Sequence, residues 1–180
     1  LKYEKFELAQ KYFLKLKKNN SKFVLNNFVS NSLLNWSGFY KIDLKNAENK
    51  LNSIDPRFEN LKNIQKVFLH CFYKSKKTDF LFKQLTSNDK IDFSRYNYFY
   101  AKYLANSGKI NQAEQLIDSS LELNPRNLLL NQYKIDLNNN NNQNNFNCEK
   151  QSNVIAEILY ITANALSTQN IYTLSNFYLN

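Results

Sequence analysis

The chain has 180 residues, enough for one core or a run of stacked helical units and too few for two sizeable independent domains. With 2 Gly and 2 Pro it is not a turn-rich β sandwich or barrel, and 43% hydrophobic and 15% aromatic residues suffice to offset the entropy of folding, so a mostly helical protein is expected. The net charge of +9 comes from 21 Lys and only 3 Arg beside 31 Asn, so codon drift in an AT-rich genome accounts for it better than a nucleic-acid face, which favours the planar Arg fork.

Phe6, Ala9, Phe13 and Leu16 recur at three or four residues and stop at Lys17 to Asn20, which predicts one amphipathic helix. A second run, Phe23 to Trp36, ends near Gly38, and a third holds Leu44, Ala47, Leu51 and Ile54 on one face. Asp55-Pro56 then pairs an N-cap side chain with a Pro at the first helical position. The helix it opens carries Phe58, Leu61, Ile64, Phe68, Cys71 and Phe72, and a shorter one follows Asp79. Helix after helix with brief joints is the grammar of an α bundle or solenoid. No apolar run nears the 18 residues of a membrane span, and no charged-then-apolar leader opens the chain. It has no Met and begins on Leu1, so it reads as a soluble segment of a longer protein, cytoplasmic or periplasmic.

From Ser94 the chain reads SRYNYFYAKYLANSGKINQAEQLIDSSLELNPRN, 34 residues over 94–127. Tyr100, Ala101 and Leu104 supply the buried face of a first helix, Gly108 permits a left-handed cap, and Ala113, Ile117, Ser120 and Leu121 supply the buried face of a second. Asn124-Pro125 ends it. This order of small, large, glycine and proline positions resembles a tetratricopeptide (TPR) repeat, whose period is 34, although Asn97 stands where that family carries a large apolar residue. Sliding the template by 62 aligns Ala163 with Ala101, Leu166 with Leu104, Asn170 with Gly108, Ser175 with Ala113 and Leu179 with Ile117, which gives a partial unit over 156–180. Between the units, Leu129, Tyr133 and Leu137 mark another helix, and the run Asn138 to Asn147 has no apolar face and is expected to be an exposed loop. In the first half, 1–87, degenerate repeats are expected, with Ala47, Leu51 and Ile54 in the place of a second helix. The resemblance, which extends to long uncharacterised bacterial TPR proteins, implies an all-α antiparallel helix-turn-helix array, a right-handed α-solenoid of nine or ten helices.

No enzymatic constellation is visible. There is no G-x-x-x-x-G-K-[ST], G-x-G-x-x-G, G-x-S-x-G or H-E-x-x-H, so neither catalysis nor a cofactor is expected. The carboxylate pairs Asp89 and Asp92, and Glu114 and Asp118, read as caps or solvated helix faces. Cys71 and Cys148 share no C-x-x-C spacing, which argues for neither a zinc site nor a disulfide framework and leaves their pairing open. His70 is the only histidine, so no multi-His metal site is expected, and adjacent helical residues point about 100° apart, so His70 and Cys71 read as structural.

The TPR resemblance implies a concave groove lined by first helices. Carried onto this chain, the groove positions are Arg95, Tyr98, Lys102, Ala105 and Asn106, then Glu157, Tyr160, Asn164 and Ser167. The flat tyrosines and the hydrogen-bonding Lys102 and Asn164 suit an extended peptide or a partner helix. The implied function is a non-catalytic protein-binding scaffold whose partner is a protein or peptide. The alternative is an electrostatic binder of nucleic acid or another polyanion through Lys15, Lys17, Lys18, Lys74, Lys76 and Lys77.

Overall fold

Apolar residues at three- and four-residue spacing wind into helices through most of the chain described by the computed structural model, residues 5–18, 24–87, 94–139 and 146–179. Among them there are ten α-helices and no strand, so the protein is all-α. They are α1 (Phe6–Lys18), α2 (Val24–Gly38), α3 (Leu44–Asn52), α4 (Glu59–Phe72), α5 (Thr78–Thr86), α6 (Ser94–Asn106), α7 (Ile110–Leu123), α8 (Leu128–Asn138), α9 (Gln151–Thr168) and α10 (Tyr172–Leu179). No helix among the described residues is long and apolar enough to cross a membrane.

Short polar side chains set several starts. Asp43 accepts from the Asn46 N–H at 2.9 Å and caps α3, and Asn127 accepts from the Leu130 N–H at 3.1 Å and caps α8. Asp55 accepts from the Arg57 N–H at 3.0 Å, but the turn it caps, Pro56–Phe58, is a 3-10 helix, and α4 begins only at Glu59. The proline thus stands one turn before the α-helix.

The chain divides into two compact units. The first holds α1 to α4 together with α9 and α10, and the second holds α5 to α8. A linear array has each helix packing on its chain neighbours, whereas α9 packs both on α10 and on α2. The core of the first unit is aromatic and includes one polar network. Trp36 meets Phe39 and Phe72 edge to face, at centroid distances of 5.1 and 6.1 Å. Its indole N–H donates to Gln65 Oε1 at 3.0 Å, and Gln65 Nε2 donates to Ser32 Oγ at 3.0 Å, with all three residues fully buried. His70 is also buried; its Nε2 lies 2.8 Å from Glu48 Oε1, and a carboxylate only accepts, so that nitrogen carries the proton.

In the second unit α6 packs against α5, α7 and α8. Phe82 stacks on Tyr100 and Tyr103, and the Tyr100 hydroxyl donates to Asp79 Oδ1 at 3.0 Å. Ala101, Leu104, Ala113 and Ile117 are all buried, and Gly108 turns the corner between α6 and α7 at φ 78°. There the Lys109 N–H donates to the Leu104 carbonyl at 2.9 Å and the Gly108 N–H to the Ala105 carbonyl at 3.0 Å.

The corner between α9 and α10 has the same form 62 residues on. The Ile171 N–H donates to the Leu166 carbonyl and the Asn170 N–H to the Ser167 carbonyl, both at 3.0 Å, and Asn170 takes φ 61°. Both are six-residue left-handed caps, and Asn is the residue that best replaces Gly there. Ala163 and Ser175 are buried as their counterparts are, but Leu179 is 55% exposed where Ile117 is 1% exposed. The reason is the covering helix: α8 packs on α7, while α10 packs chiefly on α9. Replacing Asn170 by Ala should cost about 1 kcal/mol, because a Cβ without a local hydrogen bond disfavours positive φ, while Asn170→Gly should cost nothing. Urea titrations of the two variants check this.

Of the expected loop, Asn138 closes α8, 140–145 lie outside the described residues, and Phe146 meets Phe99 at a centroid distance of 4.2 Å. The loop expectation therefore does not extend to Phe146, whose ring packs against α6.

Candidate functional site

On α6 the expected groove positions separate by exposure. Arg95 is half-buried, with its guanidinium carbon 5.3 Å from the Phe99 ring centroid, and Asn106 is exposed. Tyr98 and Lys102 are buried. Tyr98 meets Tyr133 edge to face at 5.2 Å, and the Lys102 ammonium sits 4.6 Å from the centroid of the same ring. The groove expectation for Tyr98 and Lys102 is thereby corrected: α8 lies against α6 and fills that face with Tyr133. On α9, Tyr160 is half-buried, Asn164 is exposed and Glu157 is buried. Asn106 and Asn164 belong to different units, so each is a position on its own hairpin.

Lys102 is a strongly perturbed basic group. It is 3% exposed, and among the described residues no acceptor or carboxylate bonds its ammonium. Burial pushes its amine down to about 8, with attraction to Asp136 working the other way. The Tyr133 hydroxyl is buried without a hydrogen-bond partner among the described residues, and burial, with Tyr98 and Asp136 adding to it, holds the phenol protonated well above its usual range. Two polar groups so placed pack around one large ring, at 4.6 Å from ammonium to ring centroid. The polar character of Lys102 masked its burial in the sequence.

The lysines of the electrostatic alternative are surface groups where their side chains are described. Lys15, Lys74, Lys76 and Lys77 are exposed, with Lys74 at φ 52°, and Lys17 and Lys18 are described only as helix backbone. Asp89 and Asp92 lie outside the described residues. Glu114 and Asp118 are exposed on α7, and Asp118 pairs with Lys134 at 2.6 Å. Among the described residues no cluster of three or more His, Cys, Asp or Glu is arranged to hold a metal. Neither Cys71 nor Cys148 is a free thiol, which the spacing of two cysteines gave no means of reading.

Comparison with protein-family models, with curated proteins and with solved structures returned no match to this chain.

Proposed function

We propose that this chain is a TPR-like helical-repeat scaffold, a right-handed solenoid in its local plan, that binds a protein segment and performs no catalysis. The observation that carries this reading is the recurrence of one helix corner 62 residues apart, with the same pair of backbone hydrogen bonds closed on Gly108 and on Asn170. A repeated hairpin offers repeated solvent faces on its first helix, and here the reachable positions are Arg95 and Asn106 on α6 and Tyr160 and Asn164 on α9. Half-exposed Tyr160 supplies contact area at low entropy cost, and the Asn amides supply adaptable hydrogen bonds.

The test is site-specific cross-linking. A benzophenone side chain at position 106 or 164, irradiated in a lysate of the cells that make the protein after nuclease treatment and in about 0.5 M salt, should still form discrete protein adducts, because apolar contacts and neutral hydrogen bonds are little screened. Adducts that form in low salt but not after nuclease and in high salt would replace this reading with the polyanion one, which exposed Lys15, Lys74, Lys76 and Lys77 favour.

A further inference from the structure

Helix α1 keeps apolar side chains in solvent that its packing on α2 does not cover. Phe6, Ala9 and Phe13 are half-buried, whereas Leu8, Tyr12 and Leu14 are each about half exposed, as is Tyr40 in the 3-10 turn Phe39–Lys41. Phe6 and Tyr40 approach at a centroid distance of 6.3 Å, and beside this pair lies an open groove of roughly 670 Å³ lined by Lys5, Phe6, Glu7, Leu8, Lys11 and Tyr40. That is room for one or two large side chains of an incoming chain.

The charges around this groove are not equivalent. Glu7 is held by Lys41 at 2.8 Å, a pairing that lowers the carboxyl pKa and raises that of the amine, so its charge is already matched. The same Lys41 nitrogen lies 5.2 Å from the Tyr40 ring centroid and braces that wall. Lys5 and Lys11 are left as the net charge of the lining, both exposed and both positive. An apolar floor under a basic rim is complementary to an apolar side chain between carboxylates. A bare polyanion would leave Phe6, Leu8 and Tyr40 without apolar contact.

We propose that the groove between α1 and Tyr40 is a docking site for a protein segment that carries a large apolar residue flanked by Asp or Glu. It lies in the first unit, shares no lining residue with either repeated corner, and stands whether or not the repeat reading does.

The probe is an end-blocked fluorescent peptide with Phe-Leu between two Asp-Glu pairs, titrated against the 180-residue chain. It should bind, and exchanging its acids for Lys, or its Phe-Leu for Ser-Ser, should weaken binding about tenfold or more. Tyr40→Ser should weaken it while leaving the helical signal intact, because Tyr40 is half in solvent. The double variant Lys5→Glu, Lys11→Glu should prefer the Lys-flanked peptide, an inversion that loss of folding cannot produce. Failure of the acidic peptide to bind, equal binding by the charge-reversed variant, or full competition by polyglutamate, oligo-dT or anionic vesicles would each overturn the proposal.

Discussion

Gln65→Ala should lower stability by about 3 to 5 kcal/mol. The side chain is fully buried and uses both ends of its amide, accepting from the Trp36 indole and donating to the Ser32 hydroxyl. Truncation leaves a cavity and strands the indole N–H away from water. Gln65→Leu separates the two costs, because it keeps the volume and removes only the acceptor, and it should lose about 1 to 3 kcal/mol. Trp36 is the only tryptophan, so its emission during urea unfolding reports on this site directly. If the Leu variant unfolds at the native midpoint, the network contributes nothing to stability.

Lys102→Met should stabilise the protein by about 1 to 3 kcal/mol at neutral pH, since an unpaired buried ammonium is replaced by a side chain of similar length, the lost contact with Tyr133 offsetting part of the gain. The pH dependence gives an independent readout. In the unfolded chain the amine titrates near 10.5 and in the folded protein near 8. Below about 8 the folded state carries the full cost of the buried charge; between 8 and 10.5 the unfolded chain holds a proton the folded one has released, so stability rises with pH. Tyr100 and Tyr133, whose folded phenols titrate above their usual value, work the opposite way once unfolded tyrosines ionise near 10. Unfolding midpoints between about pH 7.5 and 9.5 should therefore climb for the native chain and stay flat for Lys102→Met. A native chain without that climb would mean that the amine is solvated or paired in the folded state.

Much of the secondary structure was written in the sequence because its causes are local. The spacing of Phe6, Ala9 and Phe13, or of Ala47, Leu51 and Ile54, fixes a helical face whatever lies opposite it. Gly108 and Asn170 could be read as left-handed caps, since few other residues accept positive φ, and both adopt it.

What covers a face is not local, and only the tertiary structure decided it. Periodicity puts Tyr98 and Lys102 on the side of α6 away from α7; that α8 would lie there and bury them behind Tyr133 depends on packing between helices. Nothing in the spacing around Gln65 shows that its amide meets the Trp36 N–H, and Leu179 matches Ile117 in the template yet stays in solvent for want of a covering helix. The return of α9 onto α2 spans more than a hundred residues, and no motif encodes it. The sequence by itself determined that most of the chain is helical and where two of its corners turn, because backbone sterics and apolar spacing act over a few residues. The tertiary structure alone decided which polar groups are buried and which apolar ones remain exposed, because burial belongs to pairs of surfaces and a single helix carries only one of them.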